Sequence, residues 1–127
     1  MKGYKTNIEK ETIYNENYRK VLFTGKNMQL VVMNLKPGED IPAEIHLHID
    51  QFFRVEEGEA LVKIDDQEYM LKAEEIIIVP AGSKHYVKNT SSSEKLKIYT
   101  IYTPPEHAPG TIHKTREEAI NAEEHEH

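Results

Sequence analysis

GEDIPAEIHLHIDQFFRVEEG (residues 38–58) is the stretch whose reading decides the fold, taken together with PAGSKHYVKN (residues 80–89). In the first, Glu44, His46 and His48 alternate, so an extended backbone places all three side chains on one face, and Gln51 follows after a short turn. In the second, Pro80 and Gly82 set a turn that leads into a strand bearing His85 and ending near Asn89. Imidazole, carboxylate and amide groups at strand spacing inside a β-patterned chain point to a metal site in a small β-barrel.

The pattern around these two stretches is that of an all-β sandwich or barrel. Nine short apolar or alternating runs, at about 18–24, 28–35, 43–49, 51–56, 60–64, 68–71, 75–79, 84–88 and 95–102, are each closed by turn residues. The 28–35 run is so apolar that both of its faces should be covered. Gly25 supplies one turn, Asp65 and Asp66 close a hairpin, and Gly58 ends a strand where a positive φ angle costs little. After Tyr102 the chain changes to a proline-set arm, and Thr115 to Glu118 form a capping box for a short helix to about Glu123. The polar residues that end the chain are expected to fray.

At 127 residues the chain is expected to be one domain, 1–127, with a barrel core at about 18–102 and the arm and helix in 103–127. With 30% charged residues against 38% hydrophobic and no long apolar run, a membrane span is not expected. The start lacks the apolar stretch of a secretory signal, so the expectation is a cytoplasmic protein. The absence of cysteine leaves only nitrogen and oxygen donors for a metal, which argues against a zinc finger or an iron–sulfur cluster. A net charge of -6, with lysines scattered singly, argues against nucleic acid as a partner.

The second stretch resembles a motif of the cupin superfamily, Pro-x-Gly-x-x-His-x-x-x-Asn, which Pro80, Gly82, His85 and Asn89 meet; Glu74 stands where the family usually has a glycine. The first stretch fits that family's other motif in the frame set by Gly38 and Gly58. The resemblance implies a double-stranded β-helix, or jelly-roll, barrel, and a metal-ligand set of Glu44, His46, Gln51 and His85. That set departs from the family's commonest three-histidine, one-glutamate pattern while keeping one carboxylate. Gln51 offers a neutral carbonyl oxygen and hence a weaker hold on the ion. A shift of register would put His48 in the place of Glu44.

The resemblance also implies one divalent transition metal, Mn, Fe, Ni, Co or Zn, with open positions for a small-molecule ligand. Gln51 to Gly58 and His113-Lys114-Thr115 are similar to small single-domain cupins labelled mannose-6-phosphate-isomerase-like. The first expectation is therefore a metal-dependent isomerase or lyase acting on a small sugar or sugar acid, with Glu44 moving the proton. The alternatives are a metal-dependent dioxygenase and a non-catalytic binding or sensing module. A homodimer is expected, since cupin barrels commonly pair through sheet edges. Arg54 is a candidate for an anionic substrate group or for a surface ion pair, and His107 and His113 for closing the barrel mouth. Among Phe52, Phe53, Tyr86, Tyr99 and Tyr102, one or two are expected at that mouth.

Overall fold

The computed structural model describes residues 2–125. A short helix α1 (Ile8–Tyr14) is followed by strands β1 (Arg19–Thr24), β2 (Gln29–Leu35), β3 (Asp40–Ile45), β4 (Asp50–Glu57), β5 (Ala60–Ile64), β6 (Gln67–Leu71), β7 (Ile76–Val79), β8 (Lys84–Asn89), β9 (Leu96–Thr103) and β10 (Ile112–His113), then helix α2 (Arg116–His125). The strands form two antiparallel sheets, one in the order β10-β1-β2-β9-β4-β7 and the other β3-β8-β5-β6. This is the jelly-roll barrel expected from the alternating runs and the two motifs.

Side chains of alternate residues meet between the sheets, and their chemistry changes from one end of the barrel to the other. Met33, Ile98 and Val55 lie in one cross-strand row of the larger sheet, and Val31, Thr100 and Phe53 in the next. The row beyond is Gln29, Tyr102 and Gln51, all buried and all carrying polar groups. In the smaller sheet Ala60 pairs with Asn89 and Val62 with Val87, and beyond them Glu44 and Ile64 flank His85. The apolar rows form the core, and the two polar rows face each other at one end.

Turn geometry fixes the registers. Gly58 has φ +92, and a Cβ there would lie 2.6 Å from the Lys95 carbonyl oxygen, so only glycine fits. Asp65 has φ 53 in the β5–β6 turn expected from its sequence. Glu74 takes φ 72 where the family motif has a glycine, and its amide donates to the Val55 carbonyl at 2.7 Å. Buried Asn89 donates to the carbonyls of Leu35, Lys36 and Glu94 and accepts from the Ser91 amide, which makes it a clamp between strand ends.

Three expectations require correction. The strand expected at 43–49 ends at Ile45, because the chain turns at Leu47 and His48, and it starts earlier, at Asp40. Helix α1 lies in a segment for which the sequence pattern predicts no element: Asn7 caps it through the Lys10 amide, and its one buried residue is Thr12. The chain around α1 covers the outer face of the larger sheet, where buried Lys97 donates to the Asn15 carbonyl and Asn34 to that of Glu16. This cover explains why nearly all of β2 is buried. The arm after Tyr102 is more than an extension of the barrel, since its β10 returns to pair with β1. Helix α2 begins at the expected capping box, with the Glu118 amide donating to Thr115 Oγ1 at 3.1 Å. It continues to His125, past the expected end; of the polar tail expected to fray, Glu126 and His127 lie outside the described residues.

Candidate metal centre

The two polar rows bring Glu44, His46 and His85 together. Glu44 and His85 are cross-strand partners on β3 and β8. His46 lies just beyond β3, and its carbonyl accepts from the Gly82 amide at 2.8 Å. That bond ties the turn of the first stretch to the turn of the second, and the Ala81 amide adds another tie by donating to Asp50 Oδ1 at 2.9 Å. One ligand-capable atom from each of Glu44, His46 and His85 lies within 4.8 Å of the others. His46 Nε2 is 3.4 Å from Glu44 Oε2, and the two imidazole centroids are 5.3 Å apart.

Gln51 projects inward from β4, on the same face as Phe53 and Val55. Its amide donates to Thr100 Oγ1 at 3.0 Å, which leaves Oε1 buried without a hydrogen-bond partner among the described residues. His46 Nε2 and both ring nitrogens of His85 are in the same condition. Buried polar atoms are normally paired, and several left unpaired at one end of a barrel mark a place where another group completes them. Imidazole nitrogens, an amide oxygen and a carboxylate suit a divalent transition ion, so the residues present fit a metal.

The electrostatics agree with that fit. Burial, then the neighbouring His46, depresses the pKa of His85 to about 4, which keeps it a neutral imidazole at ordinary pH. Burial pushes Glu44 up to about 7; the charges of Glu123 and Glu106 add to the rise and Arg19 opposes it. Without an ion, a carboxyl group so placed exchanges a proton near neutrality.

A second circle of residues closes this end of the barrel. Gln29 is fully buried on β2; its Nε2 donates to the His107 carbonyl at 2.7 Å and to Thr24 Oγ1 at 2.9 Å. Its Oε1 accepts from the amides of Glu106 and His107 at 3.2 and 2.9 Å. One side-chain amide thereby pins the arm across the polar end. Glu106 Oε2 comes to 3.7 Å from His46 Nδ1, on the side of the ring away from Glu44. His107 Nε2 lies 3.3 Å from the Tyr102 hydroxyl, with the rings edge to face. Burial, then the positive field of Arg19, holds the His107 pKa down to about 3. Tyr102 and Phe53 supply the aromatic lining, with ring centroids 6.2 Å from His46 and 6.1 Å from His85 respectively.

Other candidates fall elsewhere. His48 is exposed in the turn after β3, so it does not share the face of Glu44 and His46. Arg54 lies on the outer face of β4, where its Nε donates to Glu56 Oε1 at 2.7 Å; the surface ion pair is its role. His113 on β10 accepts from Arg19 Nη1 at 3.3 Å. Arg19, Gln29 and Glu106 are not among the residues that the motifs single out. For the first two a signal exists: Arg19 shares the inward parity of Val21, and Gln29 that of Val31, Met33 and Leu35. A polar residue on the buried side of a strand is a site candidate.

Comparison with known proteins places the chain. The family described as the cupin domain matches residues 31–102. Protein YrkC of Bacillus subtilis is 41% identical over 97% of this chain and 69% of its own length. Protein L612 of Acanthamoeba polyphaga mimivirus is 44% identical over 86% of this chain and 70% of its own. The crystal structure of BH2720 from Bacillus halodurans superposes with a TM-score of 0.92 at 40% identity, covering 94% of this chain and 95% of that one. Among the described residues no helix is long and apolar enough to cross a membrane. Strand order, turn positions and likeness over most of the chain lead to one conclusion: this protein belongs to the cupin family.

Proposed function

We propose that this protein holds one divalent transition metal through Glu44, His46, Gln51 and His85, and that it catalyses isomerisation or elimination on a small sugar or sugar acid. The observation that carries the reading is the set of buried atoms without hydrogen-bond partners among the described residues, His46 Nε2, Gln51 Oε1 and the His85 ring nitrogens, beside the Glu44 carboxylate. A bound ion of this class supplies Lewis acidity, polarising a carbonyl or hydroxyl oxygen of the substrate. The remaining work belongs to the chain. Glu44 takes up and returns the proton at a carbon next to that oxygen. His85, kept neutral by burial, and the Thr100-oriented Gln51 hold the geometry. The arm pinned by Gln29 limits water at the same end.

The protein works as a homodimer in this reading, supported by exposed Ile76 and Ile78 on edge strand β7 and by Tyr69 and Met70 on edge strand β6. Light scattering should give twice the chain mass; a monomer at high concentration would contradict it.

Elemental analysis of purified protein beside a His46→Ala, His85→Ala double variant tests the metal. Close to one equivalent in the parent and none in the variant is expected. A parent that stays metal-free after reloading would overturn the reading. Sugar and sugar-acid turnover by the loaded parent tests the chemistry, and oxygen uptake instead would point to the dioxygenase reading.

A further inference from the structure

Arg19 is a buried cation that the candidate centre leaves unused. Its side chain shares the inward parity of Val21 and is 2% exposed. Strands β10 and β1 form one margin of the larger sheet, and β3, which carries Glu44, is an edge of the smaller one. The Tyr18 hydroxyl joins the two by donating to the Asp40 carbonyl at 2.7 Å. Arg19 pairs across the sheet with Met33, and from that row its charge acts on Glu44, Tyr102 and His107.

Among the described residues its polar partners are few, and its guanidinium lies 5.6 Å from the centroid of the Tyr18 ring. Nη1 is 3.3 Å from His113 Nδ1 and 3.9 Å from Glu123 Oε1, whose side chain is 41% exposed. Buried Nε has no hydrogen-bond partner among the described residues. A guanidinium removed from water needs its donors filled, and one ring nitrogen with a carboxylate beyond hydrogen-bond reach leaves Nε unfilled.

We propose that Arg19 anchors the carboxylate of a small organic acid whose remaining oxygens face Glu44, His46 and His85, so that the ligand is a hydroxy or sugar acid. This rests on the metal-centre reading and narrows its substrate class. The planar fork of arginine matches a carboxylate edge with two parallel bonds. A neutral sugar would leave the buried charge as it stands. A phosphate dianion would bring a second negative charge to a place that already holds the Glu44 carboxyl, on which the charges of Glu106 and Glu123 also act.

The test is isothermal titration calorimetry of the metal-loaded and metal-free protein with D-gluconate, glycolate, D-glucitol and inorganic phosphate, with metal content measured in every sample. Carboxylates should bind at least about tenfold more tightly than glucitol or phosphate, and Arg19→Gln should weaken them by about 30-fold with metal content unchanged. Arg19→Lys, which keeps the charge and loses the fork, should recover part of the loss. Glu123→Gln removes the competing carboxylate and should tighten gluconate by about threefold. A purely structural Arg19 predicts the opposite for that variant, a lower Tm and no gain in affinity. Equal binding of gluconate and glucitol, tighter binding of phosphate, no carboxylate binding by the parent, or no gain in Glu123→Gln would each overturn the proposal. If the parent carries no metal, Arg19-dependent gluconate binding would still support the anchor while the metal centre falls.

Discussion

Gln51 donates its amide to Thr100 and turns its carbonyl oxygen toward the candidate centre. Substituting glutamate there keeps the shape and replaces a neutral donor by a charged one. Gln51→Glu should raise metal affinity by about tenfold, read by competition with a chelator. The same variant should lower the Tm of the metal-free protein, because it buries a carboxylate against Thr100 with no cation to pair it. Unchanged affinity would mean that Gln51 Oε1 does not reach the ion. The four candidate ligands are legible in the sequence through its resemblance to the two cupin motifs, which implies them before the fold is known. Exclusion of His48 is not: alternation predicts a shared face, and only the turn at Leu47 and His48 breaks it. Glu106 is equally hidden, since it reaches His46 through an arm held by a residue 77 positions away in the chain.

Elements are most legible where a strand carries its own apolar alternation and a turn residue closes it, as in β4 up to Gly58. That glycine supports a specific expectation. Gly58→Ala would meet the Lys95 carbonyl at 2.6 Å with φ +92, so a loss of about 2–3 kcal/mol is expected in a urea titration. Glu74 offers the reverse case, an exposed non-glycine residue at φ 72. Glu74→Gly should stabilise the protein by about 0.5–1 kcal/mol, a rise of a few degrees in Tm. A fall would show that the glutamate side chain contributes more than its backbone strain costs. Helix α1 escapes a sequence reading because its seven residues, IEKETIY, present no apolar stripe, and it is held by a cap and by polar bonds from the segment behind it. Strand β10 is two residues long and exists through its pairing with β1, a contact that no local pattern signals.

For the whole molecule, stability should depend on pH through three buried groups. Unfolded imidazoles take up protons below about 6.5, whereas folded His85 and His107 resist down to about 4 and about 3. Their contribution is complete above about pH 6.5 and is lost as the pH falls through the folded values. Glu44 has the opposite sign: its folded pKa of about 7 lies above the ordinary carboxyl value of 4.5, so the folded state takes up that proton first. Two imidazoles outweigh one carboxyl, and the metal-free protein should lose Tm as pH falls below about 6.5. The loss should steepen below about pH 4.5, where the opposing carboxyl no longer contributes. His107→Gln should flatten the curve by about one proton; a Tm that rises steadily between about pH 7 and 4 would contradict the assignment.

The bond from Gln29 to the arm has a consequence for the order in which the molecule is made. Every candidate ligand, from Glu44 to His85, precedes Glu106 and His107 in the chain. Strand β9, which joins β2 to β4, ends at Thr103, three residues before Glu106. The strand that completes the larger sheet and the arm that spans its polar end are thus made almost together, and Gln29 exchanges solvent for backbone partners only once both are in place.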